Sequence, residues 1–364
     1  MKRGVHNLRI IFAIAWKDIL EGWKNKVILT SVITSLFLVI FYNYLPDLTR
    51  RDELPLMVIF DPNEHIELEE TANFPDFNFR REDDKDAFFY ILRDMETPVI
   101  GIKLEQDPLK LKSDSPLSLQ GYYPYWMKSS QIEDIKTSAI MALEAYWGIP
   151  VEMAPTENLV YPIMDNYAYG KTFIASAGLL LQLTVMGLSL APQLIVEEKE
   201  ARTLQAIVVS PATLGHFILG KTLAVLFYTL LTTTIGLFFT GSLIIHWGLA
   251  LVALVIGMLV IITPGILLGV LFQNKGQISI WIWVLFIPTV LPIFFSVVRV
   301  FPEYVLKVVD WWPTVALSRI LRAGFTLNPP LNSYSTEMIY LLGLSLFFSL
   351  ITLWVIQKQM VKGA

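Results

Sequence analysis

Two stretches of this 364-residue chain carry residue types and spacings that suggest chemistry. The first is Gly215-His216-Phe217-Ile218-Leu219-Gly220-Lys221-Thr222, which fits the spelling of a phosphate-binding loop. Such a loop needs a strand before it, flexible variable positions and a soluble helix aimed at the phosphates. Here the variable positions are His, Phe, Ile and Leu, and the run from Leu223 to Leu231 is apolar. The match is read as chance, and Lys221 as a side chain snorkelling at the inner end of a membrane span.

The second stretch is Val196-Glu197-Glu198-Lys199-Glu200-Ala201-Arg202-Thr203-Leu204-Gln205-Ala206-Ile207-Val208-Val209-Ser210-Pro211. Its first half is charged. Its second half places Leu204, Ile207 and Val208 on one helical face before Ser210-Pro211 stops the helix. Exposed ion pairs contribute only about 0–1 kcal/mol each. Charge this dense, followed by an apolar stripe, therefore reads as a docking helix for a soluble partner. On that reading Glu198→Arg with Glu200→Arg leaves the fold intact and removes only the docking.

Other chemistries find little support. The chain has no cysteine, which excludes thiolate catalysis and disulfides. His6, His65, His216 and His246 are scattered, with no His-Glu-x-x-His, so no metal site is assigned. No catalytic residue is assigned either. The net charge of -4 offers no basic footprint for nucleic acid.

The elements that hold these stretches are set by composition. Hydrophobic residues make up 54% and charged residues 16% of the chain, against about a quarter charged in an ordinary globular domain. No Asp, Glu, Lys or Arg occurs in 172–196, 222–272 or 276–298. Runs of that length read as membrane spans. The expectation is a polytopic α-helical membrane protein with six transmembrane helices, at 27–45, 172–195, 219–244, 248–272, 279–298 and 337–356. Residues 1–26 form an N-terminal interfacial elbow helix, because Leu8, Ile11, Phe12, Ala15, Trp16, Ile19 and Leu20 make one apolar face. Between the spans lie a large segment at 46–171, a loop at 196–218, a loop at 299–336 and a tail at 357–364.

Orientation follows from Lys and Arg in the short flanks. The face holding the elbow, 196–221, Lys275 and the C-terminus carries twelve basic and five acidic residues. It is assigned to the cytoplasm, with both termini inside the cytoplasmic membrane. Residues 46–171 hold twelve basic and twenty-four acidic residues and are assigned to the outside as a mixed α/β extracytoplasmic domain. Strands are expected at 54–60, 98–104 and 117–123. A capping box at Ser130 and Glu133 starts a helix that Gly148 ends. The acidic stretch 61–86 reads as loop or edge.

Few polar groups lie in the spans. Gln182, Thr184, Ser189, Thr232, Thr233 and Ser279 are candidates for a pathway, with helix-to-helix hydrogen bonding as the competing role. No charge lies inside a span, which disfavours ion-coupled transport. A lumen of apolar and hydroxyl groups suits an amphiphile, a lipid or a hydrophobic drug.

The string Glu-Glu-Lys-Glu-x-x-Thr-Leu at 197–204, Val-Ser-Pro at 209–211 and Gly-Lys at 220–221 resembles the ABC-2 type permeases, the membrane subunits of a class of ATP-driven exporters. The segment Trp312-Pro313-Thr314-Val315-Ala316-Leu317-Ser318-Arg319-Ile320-Leu321-Arg322 is similar to the family's segment before its last span. The resemblance implies a dimer of permeases, identical or sister chains, with two copies of a separate ABC ATPase. ATP and Mg would be bound by that partner, and no cofactor by this chain. It implies an ATPase-coupling role for Glu197, Glu198, Lys199, Glu200, Arg202, Thr203, Leu204, Ile207 and Val208, with a second contact at Trp16, Lys17, Asp18 and Glu21 of the elbow. Short helices re-entering the outer leaflet would form an outer gate with Trp311, Trp312, Pro313, Arg319 and Arg322. Sodium export, known for relatives, and a non-transporting ATP-linked receptor or scaffold stand as alternatives.

Overall fold

The structure is a computed structural model that describes residues 2–22, 24–49, 54–62, 74–104, 115–155, 157–162, 170–201, 212–297, 301–327, 329 and 331–362. The chain divides into two compact units. One comprises 1–43, 174–325 and 329–364, and the other 44–173 with 326–328.

The first unit is a helical bundle. Six helices among the described residues are long and apolar enough to cross a membrane: Lys26–Leu45, Lys171–Glu200, Leu214–Leu243, Trp247–Leu271, Lys275–Phe295 and Tyr334–Lys358. The elements are α1 (Lys2–Glu21), α2 (Lys26–Thr49), α5 (Lys171–Val185), a π-helical segment (Met186–Leu190), α6 (Ala191–Glu200), α7 (Leu214–Thr240), α8 (Trp247–Leu271), α9 (Lys275–Phe295), α10 (Glu303–Asp310), α11 (Pro313–Ala323) and α12 (Leu331–Lys362). The second unit supplies α3 (Lys85–Asp94) and α4 (Ser129–Trp147).

One span is the hub. The helix formed by α5, the π segment and α6 is 94% buried inside the chain, whereas α2, α9 and α12 are only 17–22% buried. Its close packing depends on glycines of α8. A Cβ on Gly257 would meet Leu183 and Leu317 at 2.9–3.0 Å, and one on Gly269 would meet Pro192 and Ile195 at 2.9 Å. At Gly265 the approach is closest, since a Cβ would fall 1.9 Å from the Gly187 carbonyl oxygen. Small residues let helix backbones approach where lipid offers no hydrophobic drive for association.

The second unit is built on a sheet with strand order β2-β1-β3-β4-β5, and β6 also pairs with β4. The strands are β1 (Leu56–Phe60), β2 (Asn78–Glu82), β3 (Val99–Leu104), β4 (Leu117–Pro124), β5 (Val151–Met153) and β6 (Asn158–Val160). β1 runs parallel to β2 and β3, β3 antiparallel to β4, and β4 parallel to β5 and β6. Alternation in the strands feeds two cores, as a period of two requires. Met57, Ile59, Ile100 and Ile102 pack with Ile132, Ile135, Ala139 and Leu143 of α4 (Ser129–Trp147). Val58 and Val99 pack on the other face with Phe88, Ile91 and Leu92 of α3 (Lys85–Asp94). Gly101 lets α3 lie close, since a Cβ there would meet Leu92 and Phe88 at 2.6–2.7 Å.

One expectation is narrowed here and one changes. Within 61–86, residues 78–82 form edge strand β2, whose Arg80, Arg81 and Glu82 hide a strand pattern behind edge-protecting charge. The same stretch ends in Asp84, which accepts from the Asp86 and Ala87 amides and starts α3. The start of α4 is capped two residues earlier than expected. Gln131, not Glu133, reaches back to the backbone, accepting from the Lys128 amide at 3.1 Å, because Ser129 and Ser130 are already helical. Gly148 does end the helix, at φ 68°. Expressed alone, residues 46–171 are expected to be soluble, with a circular dichroism spectrum of mixed helix and strand. A disordered spectrum contradicts that.

Candidate functional site

The charged run 197–200 is the last turn of α6 rather than part of a loop. Each of its four side chains ends at another helix. Glu197 accepts from the Asn25 amide at 2.8 Å and pairs with Lys275 at 3.2 Å. Asn25 is itself the cap of α2, its Oδ1 accepting from the Val27 and Ile28 amides at 2.8 and 3.4 Å. Glu198 pairs with Lys221 of α7 at 3.0 Å and Lys17 of α1 at 3.5 Å. Lys199 donates to the carbonyls of Gly269, Val270 and Phe272 at 2.7–2.8 Å. Those groups close the C-terminal end of α8, whose last carbonyls have no partner inside the helix. Glu200 accepts from the Lys275 amide at 2.7 Å, a carboxylate at the N-terminus of α9. Asn274 caps the same end through the Gln277 amide at 2.9 Å.

The centre of this junction is buried. Lys221 and Asp18 are 3% and 7% exposed at the side chain and pair at 2.9 Å. Burial pushes the Asp18 carboxyl above its ordinary value, and the Lys221 charge beside it opposes that. α1 reaches this point because α7 gives way to it. A Cβ on Gly220 would meet Ile14 at 2.7 Å, and Tyr228 donates to the Ile19 carbonyl at 2.8 Å. Asp18, Glu21, Asn25, Glu197, Glu198 and Lys221 line a cavity of about 210 Å³.

Two expectations are corrected by these distances. Lys221 does not snorkel: it is locked between two carboxylates, and residues 215–222 are helical from Leu214, with Thr213 accepting from the His216 amide at 3.2 Å. Glu198 and Glu200 are not free loop charges either. Reversing Glu198 would set an arginine against buried Lys221, so Glu198→Arg with Glu200→Arg is now expected to destabilise the fold as well as any docking. The density of charge at 197–200 is accounted for by the ends of α2, α8 and α9 and the buried cation of α7, which all need partners. Replacing Lys199 with methionine is expected to cost about 1.5–3 kcal/mol, the range for hydrogen bonds to a charged group. A lower thermal midpoint in detergent checks this, and an unchanged one counts against the capping role.

The sequence profile described as ABC-2 family transporter protein matches residues 26–354. The chain belongs to this family. No curated protein matches it. As an ABC-2 family transporter protein, it is a multi-pass membrane protein and the permease component of an ABC transporter.

The structure places the remaining candidate residues of this transporter as follows. Arg202, Thr203, Leu204, Ile207 and Val208 lie outside the described residues. Of the elbow set, Asp18 joins the junction, Lys17 reaches Glu198, Glu21 lines the cavity and Trp16 is exposed with Leu8, Phe12 and Leu20 on the opposite stripe of α1. Gln182, Thr184, Thr232 and Thr233 are buried in the bundle. Ser189 is half-buried and accepts from Gln193 at 3.0 Å, while Ser279 is exposed on α9 and donates to the Lys275 carbonyl. Pro313 opens α11, and Arg319 joins Asp310 to Glu337, the latter at 3.3 Å. Trp311 and Trp312 are exposed and Arg322 is buried. Asp310, Trp311, Arg319, Glu337 and Tyr340 line a second cavity of about 240 Å³. Sequence reasoning passed over Asn25, although an Asn just before an apolar run is a cap signal. No local signal tied Lys275 or Lys221 to Glu197 and Glu198.

Proposed function

We propose that this permease is driven by two copies of a separate ABC ATPase that dock beneath the end of α6 and along α1. The observation that carries this reading is the Glu197–Glu200 turn. It joins the ends of α2, α8 and α9 and the sides of α1 and α7, so a force applied there reaches five helices at once. The partner would bind ATP and Mg. Residues 202–208 would complete the docking element, and a second permease, identical or sister, would complete the assembly. The exposed stripe Leu8, Phe12, Trp16 and Leu20 supports α1 as an elbow lying in the bilayer surface. The Lys and Arg distribution supports a cytoplasmic-membrane protein with both termini inside and residues 46–171 outside. The apolar and hydroxyl composition of the spans, with no charge inside them, supports an amphiphile, lipid or hydrophobic drug as cargo.

The test is to purify the chain with whatever ATPase accompanies it and reconstitute the complex in vesicles. The expected result is ATP hydrolysis stimulated by an amphiphile, with transfer of that amphiphile across the bilayer. Hydrolysis with no transfer of any amphiphile points to the receptor role, and ATP hydrolysis by the chain alone removes the need for a partner.

A further inference from the structure

Among the described residues of the spans, Gln182 and Thr233 are buried polar side chains none of whose polar atoms finds a partner, whereas Asp18 and Glu337, which also carry an unpartnered oxygen, are bonded through the other. Gln182 is fully buried, and neither its amide nitrogen nor its oxygen has a hydrogen-bond partner. Thr233 is 3% exposed and its hydroxyl is unpartnered too. Thr184, Thr229, Thr232 and Thr240 are as deeply buried on the same two helices, and each donates to a carbonyl of its own helix. The missing bonds are therefore particular to this pair, and not general to hydroxyls among apolar helices. The two belong to one place. A Cβ on Gly236 would fall 2.6 Å from Gln182 Oε1, and Gly236 stands one turn from Thr233 on the same face of α7. Leu179 and Val39 close the wall, so the place lies inside one chain, among α2, α5 and α7.

A buried amide with nothing to bond is costly and calls for an explanation in function. The helix that carries Gln182 also carries Glu197–Glu200 at its far end, with the π segment between them. π segments are frequent at functional sites, and this one gives α5 and α6 a joint. We propose that Gln182 and Thr233 form the polar wall of a passage that is shut in this conformation and opens between α5 and α7 during the transport cycle, taking a neutral hydroxyl- or amide-bearing head group on an otherwise apolar molecule. The class of ligand follows from the wall's chemistry. Gln and Thr each offer a donor and an acceptor. Residues 27–45, 172–196 and 222–272 hold no Asp, Glu, Lys or Arg, so a charged head group would be buried without a counter-ion. The inference rests on the reading of the chain as the moving part of an ATP-driven exporter.

The absence of native cysteine makes the test direct. Gln182→Cys and Thr233→Cys are made singly, with Thr184→Cys as the control that is equally buried but satisfied. Each is placed in nanodiscs with the copurified ATPase and treated with a water-soluble methanethiosulfonate, nucleotide-free and vanadate-trapped, and the permease is weighed by mass spectrometry. The expected result is labelling at 182 and 233 that differs by roughly tenfold or more between the two states, as for a site exposed in only one conformation, with 184 inert in both. Decanol is expected to slow that labelling, and decanoate and decyltrimethylammonium to leave it unchanged. A complex that hydrolyses ATP while both cysteines stay unlabelled in both states overturns this inference and leaves the proposed function standing. Labelling of 184 alongside them, or equal protection by the charged probes, overturns it too. Absence of any copurifying ATPase instead overturns the proposed function.

Discussion

Replacing Lys221 with methionine is expected to lower the stability of the transporter by about 3–5 kcal/mol, the cost of breaking a buried ion pair and leaving its partner charged. Lys221 is the cation shared by Asp18 and Glu198, and all three side chains are less than one-fifth exposed. Methionine keeps much of the length and removes the charge that Asp18 and Glu198 share. The measurement is thermal unfolding in detergent. Adding Asp18→Asn to Lys221→Met is expected to recover part of the loss, because the double variant no longer buries the uncompensated carboxylate. Lys17, which is 54% exposed and sits 3.5 Å from Glu198, provides the contrast. Lys17→Met should stay within about 1 kcal/mol of the parent, as exposed pairs do. Equal effects at 17 and 221 would contradict the buried centre.

The second large effect is steric. Gly265→Ala on α8 places a Cβ where the Gly187 carbonyl of the π segment already lies. A backbone group cannot rotate away as a side-chain tip can, so the helices must separate. Overpacking of this kind costs typically about 1–3 kcal/mol, and the depth of the overlap puts this case at the upper end. The same change at Gly248, in the first turn of the same helix, meets nothing within 4 Å, and it should stay within about 0.5 kcal/mol of the parent. A large loss at one glycine and none at the other, read as shifts of thermal midpoint, isolates the packing contribution. A mild Gly265→Ala means that the π segment is not held as described.

Hydropathy and charge made the helices legible because a span must be long and uncharged to lie in lipid, and nothing else in the chain resembles it. The end of α4 was legible for a local reason as well, since Gly148 takes a left-handed conformation that other residues resist. β2 was not, because an edge strand guards itself with the same charges that mark a loop. The junction was half legible. The run 197–200 stood out by its charge, yet charge density alone cannot separate a solvated docking face from a set of caps for distant helices. Asn25, Lys221 and the end of α8 lie 23 to 172 residues from their partners in sequence, so only the fold brings them together. The unbonded state of Gln182 was likewise invisible, because a glutamine in an apolar run reads the same whether or not its amide is satisfied.

The most direct test begins with Ala201, the exposed residue just after the Glu197–Glu200 junction. In a chain with no other cysteine, Ala201→Cys is given a photoactivatable crosslinker of short reach and illuminated in the assembled complex. The expected result is a covalent product between this chain and its ATPase, lost when the ATPase is omitted. Crosslinks that form only to extracytoplasmic material, or an Ala201→Cys reached solely by reagents applied outside an intact cell, would contradict it.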